Sequence, residues 1–83
     1  MNKRVLRPDR AILQNLLRDI RKEAGLNQQD LAERLGVPQS FVSKYELGER
    51  RLDLLELRQI CAAVGISLSE LIQRFENLLS KTT

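Results

Sequence analysis

Gln39, Ser40 and Lys44 recur at the spacing of one helix face and carry an amide, a hydroxyl and an ammonium group. A glutamine can bond adenine at N6 and N7, a lysine can donate to O6 and N7 of guanine, and a serine can serve either role. Each matched contact is worth about 1–3 kcal/mol of discrimination between bases. These residues could therefore recognise the edges of DNA bases. The alternative is that they are solvated, as a polar residue near a helix start is at most sites.

A short helix followed by a glycine precedes this face. Leu31, Ala32 and Leu35 recur at the spacing that gives a helix one apolar side. Asn27 can cap that helix, and Gly36 can end it because glycine reaches a left-handed conformation without steric cost. We therefore expect a sharp turn between two short helices.

The second short helix begins near Pro38, whose fixed φ is already helical. Val42 and Tyr45 recur three apart and face inward, which leaves the polar side chains on the opposite face. Phe41 either contacts a thymine methyl or covers the seam between the two helices, and we expect the seam. Two helices that cross at a glycine-containing turn are typical of helix-turn-helix proteins.

The stretch from Gln28 to Gly48 resembles the lambdoid phage repressor and Cro family, also called the xenobiotic-response-element family of bacterial regulators. The motifs that carry the resemblance are Q-Q-D-L-A-x-x-L-G from Gln28 and Q-S-x-V-S-K-Y-E-x-G from Gln39. It extends from roughly Ile12 to Ile72. The resemblance implies a compact all-α domain of five helices, in which helices 2 and 3 form the helix-turn-helix and the protein binds double-stranded DNA.

The family also implies roles for single residues. Its usual base readers match Gln39, Ser40 and Lys44, and the position of Gln28 commonly bonds phosphate while bracing the first reader. Adjacent arginines just beyond the reading helix could clamp a phosphate, although such pairs in loops are usually only solvated. The residues expected at phosphates or in support of the readers are Asn27, Gln28, Ser43, Arg50 and Arg51.

An arginine late in helix 1 pairs, in phage repressors of this type, with the glutamate that matches Glu46. We therefore expect Arg21 and Glu46 to form an ion pair that fixes the angle of the reading helix. Its net contribution to stability is expected to be small, because desolvating both charges offsets much of their attraction.

Composition narrows the classes of function. The 83 residues suffice for one domain, and three aromatic residues mean that its core is aliphatic. The sequence has no histidine and one cysteine, Cys61, which we expect to be a small buried hydrophobe. No disulfide framework, zinc site, cofactor-binding motif or paired-carboxylate cleft is indicated, so we expect no enzyme, no metal and no cofactor.

Charge distribution favours the N-terminal half as the surface that meets DNA. Residues 1–52 contain 11 basic and 7 acidic residues, whereas residues 53–83 contain 3 basic and 4 acidic residues. The net charge of the whole chain is +3, and the positive charge lies in the N-terminal half. No apolar run is long enough to cross a bilayer or to serve as a signal peptide. We therefore expect a cytoplasmic, nucleoid-associated protein that a bacterium or phage encodes.

The outer elements are predicted from caps and periodicity. Residues 1–8 are expected to form a basic arm, either following a DNA groove or merely solvated. Residues 9–80 are expected to form the five-helix domain, with Asp9 capping helix 1 and residues 81–83 left as a tail. Asp53 with Glu56 resembles the start of helix 4, and Ser67 with Glu70 forms the S-x-x-E capping box of helix 5.

Helix 5 carries an apolar stripe that one small domain does not fully cover. We expect a homodimer through this helix, with two reading helices addressing half-sites about 34–36 Å apart. Core packing is the alternative for Leu68, and a frayed terminus is the alternative for the last two leucines. The expected interface residues are Leu68, Phe75, Leu78 and Leu79.

These features together predict a sequence-specific transcriptional regulator of the repressor or restriction-modification controller type. The alternative is an antitoxin, or another protein-interaction module, that uses the same helices to bind a protein. Antitoxins usually carry an additional toxin-binding segment, and only residues 80–83 follow the predicted helix 5. No sensor domain is indicated, so we expect no small-molecule effector.

Overall fold

Five helices make up the protein in the computed structural model, which describes residues 3–81. Helix α1 spans Lys3–Glu23, α2 spans Gln28–Leu35, α3 spans Gln39–Glu46, α4 spans Leu54–Val64 and α5 spans Leu68–Ser80. Residues 3–81 contain no strand. The predicted all-α, five-helix architecture is therefore confirmed.

Helix α1 begins earlier than the sequence predicted. It starts at Lys3, so residues 3–8 are helical rather than an arm, and Asp9 lies inside the helix instead of capping it. Arginine and leucine favour the helix on both sides of Pro8, and the helix continues although Pro8 has no N–H to donate to the preceding turn. Residues 1–2 of the predicted arm and residues 82–83 of the predicted tail lie outside the described residues.

The turn between α2 and α3 is built from a cap at each end of α2. Asn27 Oδ1 accepts a hydrogen bond from the backbone N–H of Asp30 at 2.7 Å, and the Asn27 N–H donates to Asp30 Oδ2 at 3.1 Å. Gly36 ends α2 with φ of 72°, in the left-handed region where a side chain is strained. Pro38 is the N-cap of α3. The chain therefore reverses over a few residues and brings α3 across α2.

Caps also begin the last two helices. The Asp53 N–H donates to Glu56 Oε1 at 2.9 Å, and the Glu56 N–H donates to Asp53 Oδ1 at 2.8 Å. At α5 the Ser67 hydroxyl accepts from the Glu70 N–H at 3.0 Å, which is one half of the predicted capping box. Both starts therefore follow from side chains next to them in sequence.

An aliphatic core holds the five helices together. Each buried leucine, isoleucine or valine contributes about 1.5–3 kcal/mol relative to an exposed one. Burial raises the pKa of the Cys61 thiol, which is 1% exposed. The buried apolar residues are Leu16, Leu17, Ile20, Leu31, Ala32, Val42, Tyr45, Ile60, Cys61 and Leu71.

Polar contacts fasten the helices at the rim of this core. Arg74 donates from Nη1 and Nη2 to the two carboxylate oxygens of Glu23 at 3.0 and 2.9 Å, which joins α5 to the end of α1. Arg34 Nη1 donates to the Ala63 carbonyl at 2.8 Å and joins α2 to α4. No helix in the described chain is long and apolar enough to cross a membrane.

Candidate nucleic-acid interface

Helix α3 presents a polar face to solvent, which we call the reading face and define as Gln39, Ser40 and Lys44. All three residues are exposed. Behind them Val42 is 0% exposed and Tyr45 is 2% exposed. The helix is thereby fixed by its apolar side, with its hydrogen-bonding groups available to a ligand.

A hydrogen bond to the Gln28 side chain orients Gln39. Its Nε2 donates to Gln28 Oε1 at 2.7 Å, and Gln28 Nε2 in turn donates to Glu46 Oε1 at 2.9 Å. The chain of amides ends on a carboxylate that is 1% exposed. Because Glu46 can only accept when ionised, the Gln28 amide must point its N–H toward Glu46 and its oxygen toward Gln39. The Gln39 carbonyl and its second N–H make no hydrogen bond with another side chain of residues 3–81.

Arg21 and Glu46 form the ion pair that connects α1 to the end of α3. Arg21 Nε donates to Glu46 Oε2 at 2.7 Å, and Nη2 donates to Oε1 at 3.0 Å. Arg21 Nη1 also donates to the Leu26 carbonyl at 2.9 Å. The hydrogen bond to Glu46 raises the pKa of Arg21, so the guanidinium stays charged.

Arg18 extends this network in a way that the sequence did not assign. Its Nε lies 3.8 Å from Glu46 Oε1, and its side chain is 40% exposed. Arg18 precedes Arg21 by one helical turn, and that spacing was the available signal. The exposed part of its guanidinium adds positive charge beside the Glu46 carboxylate, which also accepts from Gln28.

Phe41 packs against the buried core beside the reading face. Its place over the seam between α2 and α3 stays a prediction. Its ring meets the Tyr45 ring edge to face, with centroids 5.8 Å apart and planes at 78°. The guanidinium carbon of Arg50 lies 4.4 Å above the Phe41 ring centroid. Phe41 is half-buried by these contacts.

The residues expected to support DNA binding are divided by the structure. Asn27 is committed to capping α2, and Ser43 is half-buried. Arg50 is held by the Phe41 ring and by Glu56, whose Oε2 accepts from Arg50 Nη2 at 2.9 Å. Arg51 is exposed, and its guanidinium makes no hydrogen bond or ion pair with another described residue.

The apolar residues predicted for a dimer interface lie partly in the core. Leu68, Phe75 and Leu78 pack against the buried cluster, and Leu79 is half-buried as well. On α4 and α5 three large apolar side chains are more exposed, and we call them the apolar patch: Leu54 at 61%, Leu55 at 70% and Ile72 at 46%. Leu55 was not predicted to be a surface residue, because an apolar side chain on a helix is expected to face the core.

A groove of about 370 Å³ lies between the outer sides of α4 and α5. Its lining includes Leu55, Ile66 and Leu68, flanked by the polar side chains of Arg58 and Gln59. The groove therefore continues the exposed apolar surface from α4 to the start of α5. Within residues 3–81 the structure gathers no group of three or more Cys, Asp or Glu side chains that could hold a metal ion.

Two helices joined by a tight turn, with the second exposing a polar face over a buried apolar one, define the class of helix-turn-helix DNA-binding regulators. The chain belongs to the helix-turn-helix family HTH_3, whose model matches residues 17–71. Control protein C.MunI from Mycoplasma sp. is 36% identical over 63 residues, which cover 75% of this chain and 85% of that protein. An HTH-type transcriptional regulator from Sinorhizobium fredii is 34% identical over 53 residues, covering 64% of this chain and 69% of that protein.

Solved structures show the same fold. An XRE-family-like protein from Pseudomonas syringae pv. tomato superposes with a TM-score of 0.86 at 40% identity, covering 94% of this chain and 98% of that one. The restriction-modification controller protein C.Esp1396I, solved as a tetramer with its natural 35-base-pair operator, superposes with a TM-score of 0.76 at 22% identity. That match covers 83% of this chain and 91% of the controller.

Proposed function

We propose that the protein is a sequence-specific transcriptional regulator that binds a two-fold symmetric operator as a homodimer. The observation that carries the proposal is the reading face, which is exposed on a helix held from behind by Val42 and Tyr45. Helix α3 enters the major groove, where Gln39 bonds adenine, Lys44 donates to guanine and Ser40 bonds either base. The relationship to control protein C.MunI favours the restriction-modification controller type within this class.

The Gln39–Gln28 hydrogen bond supports a preorganised base contact. Gln39 is held at 2.7 Å by an amide whose own orientation is set by Glu46. A side chain that is already ordered loses less conformational entropy when it binds. The second N–H of the Gln28 amide remains available to a phosphate while its oxygen holds Gln39, so one residue can make both contacts.

A homodimer is supported by the apolar patch and the adjoining groove. Leu55 and Ile72 are 70% and 46% exposed, and the groove between α4 and α5 extends this surface toward Leu68. One reading helix covers only a few base pairs, so two copies are needed for useful specificity. We place the dimer contact at α4 and the first turns of α5, with Phe75 and Leu78 supporting it from the core.

Protein concentration sets operator occupancy in this scheme, through linked dimerisation and DNA binding. The regulator acts at the nucleoid in the cytoplasm and needs no small-molecule effector. A metabolite that changed the operator affinity of the purified protein would contradict this part of the proposal.

Selection of bound duplexes from a random DNA pool at near-physiological salt tests the main proposal. The expected result is a two-fold symmetric consensus with half-sites about one helical turn apart. Lys44→Ala is expected to relax the preference at one base pair per half-site while the rest of the consensus persists. Equal retention of every fragment would refute base reading, because sequence-independent binding arises from phosphate contacts alone.

Sedimentation of the purified chain tests the dimer separately. Leu55→Glu places a carboxylate in the apolar patch and is expected to give monomers at concentrations where the unaltered protein dimerises. Leu47→Glu is the matched control. Leu47 is a leucine of similar exposure, 61% against 70% for Leu55, but it follows α3 instead of lying on α4. Dimers of Leu55→Glu as strong as those of the control would exclude this interface.

A further inference from the structure

Arg50 is engaged by three different parts of the chain at once. Its guanidinium carbon lies 4.4 Å above the Phe41 ring of α3. Its Nη2 donates to Glu56 Oε2 of α4 at 2.9 Å, and its Nη1 donates to the Arg51 carbonyl of the connecting loop at 2.8 Å. One side chain thus links the reading helix, the loop after it and the helix beyond.

We infer that Phe41, Arg50 and Glu56 form a clamp that positions the α3–α4 loop so that Arg51, and not Arg50, contacts DNA phosphate. This inference rests on the proposed DNA-binding function and assigns different roles to two adjacent arginines. Arg50 is a positioning residue, and Arg51 is the residue that binds the backbone.

The clamp occupies two of the five N–H donors of Arg50, which reduces its capacity for a phosphate. The aromatic ring covers one face of its planar guanidinium, and both Nη groups already donate to oxygen. The Glu56 carboxylate also neutralises its charge at 2.9 Å. Arg51 has neither constraint, since its guanidinium makes no hydrogen bond or ion pair within residues 3–81 and is exposed.

Both partners of Arg50 are themselves fixed. The Phe41 ring packs edge to face on Tyr45, which is 2% exposed. Glu56 uses its other oxygen, Oε1, to accept from the Asp53 N–H at 2.9 Å and so belongs to the cap of α4. The loop is therefore attached at two rigid points, and its Arg51 carbonyl is tied to the same side chain that joins them.

Salt dependence of DNA binding separates the two roles, because each phosphate contact contributes about 0.9 to the slope of log K against log salt. Arg51→Ala is expected to lower the slope by about 0.9 per protomer. Phe41→Leu, which changes no charge, is expected to weaken binding about two- to five-fold with the slope unchanged. Phe41→Tyr retains an aromatic face and is expected to bind like the unaltered protein.

Arg50→Lys and Arg50→Ala complete the set. Lysine keeps the charge but cannot bridge Glu56 and the Arg51 carbonyl, so Arg50→Lys is expected to match Phe41→Leu in affinity and slope. If Arg50→Ala lowers the slope as much as Arg51→Ala does, while Arg50→Lys keeps full affinity, Arg50 binds phosphate directly and the clamp is refuted. Thermal melting of each variant confirms that the domain is folded under the binding conditions.

Hydrogen exchange of the loop amides in the free protein keeps the clamp testable without DNA. Exchange at residues 49–52 is expected to be faster in Phe41→Leu than in Phe41→Tyr, which should match the unaltered protein. Equal exchange in all three would overturn the clamp. A protein that failed to select an operator would refute the proposed function, and the exchange result would still decide whether the loop is held.

Discussion

Removing Arg21 is predicted to be the most damaging single change among the polar residues of the domain. Arg21→Met deletes two hydrogen bonds to Glu46 and one to the Leu26 carbonyl. It leaves a carboxylate that is 1% exposed with the Gln28 amide at 2.9 Å and the Arg18 Nε at 3.8 Å. Breaking a buried pair by removing one partner costs about 3–5 kcal/mol, and the two remaining contacts of Glu46 place the expected loss at about 3 kcal/mol.

That loss is large for a chain of 83 residues, whose total stability is expected to be about 4–12 kcal/mol. The melting midpoint should fall by about 12–24 °C, as measured by circular dichroism or calorimetry. Arg74→Met is the matched control, since it breaks an arginine–glutamate pair with two hydrogen bonds in which the Glu23 side chain is 58% exposed. The control is expected to lower the melting midpoint much less, because solvent screens this exposed pair.

A double variant, Arg21→Met with Glu46→Leu, removes both charges. Its free energy of unfolding measures the net contribution of the ion pair without the cost of an unpaired buried carboxylate. It should recover most of the lost stability, because replacing both charges with apolar groups is often neutral. It should still bind DNA poorly, because Gln28 loses the acceptor that orients it toward Gln39. If Arg21→Met melts no lower than Arg74→Met and binds the operator normally, the structural role given to this pair is wrong.

Three further predictions concern the scaffold. Cys61, buried and with a raised thiol pKa, should react with an alkylating reagent only as fast as the protein opens, and rapid labelling of the native state would contradict this. The hydrogen bond from Arg74 lowers the pKa of Glu23 below its ordinary 4.5, so the stabilisation from this pair should be complete above that pH and lost as the pH falls through the lower folded-state value. The fall in the denaturant midpoint between pH 7 and pH 3 should therefore be smaller in Arg74→Met than in the unaltered protein. Gly36→Ala, at φ of 72° with open space around it, should cost about 1–2 kcal/mol of unfolding free energy, and an unchanged denaturant midpoint would count against the left-handed cap.

Local chemistry explains why most of the fold could be predicted from the sequence. Asn27 and Asp53 each cap a helix through a residue three positions later, and such signals lie within one turn of the chain. The exposed face of α3 followed from Val42 and Tyr45 alone, because the helical period places polar residues opposite buried ones. The start of α1 did not follow, since Asp9 and Pro8 resemble a helix start but lie inside a helix that begins at Lys3.

Contacts between elements were harder to predict. The exposure of Ile72 and the packing of Phe75 against the core depend on how α5 crosses α1 and α4, which periodicity does not specify. The Arg50–Phe41 and Arg50–Glu56 contacts join a residue of the α3–α4 loop to α3 and to α4, and likewise carry no local signature. The Arg21–Glu46 pair was expected only from the family resemblance, because 25 residues separate its partners.

The three residues of the reading face differ in how freely evolution can replace them. Gln39 shares a hydrogen bond with Gln28, whereas Ser40 and Lys44 make no side-chain hydrogen bond among residues 3–81. A new residue at position 40 or 44 would leave the interior undisturbed, but one at position 39 would strand an amide tied to the Glu46 carboxylate. Duplicated copies of this gene would therefore diverge in target preference first through positions 40 and 44, with position 39 changing only together with its partner.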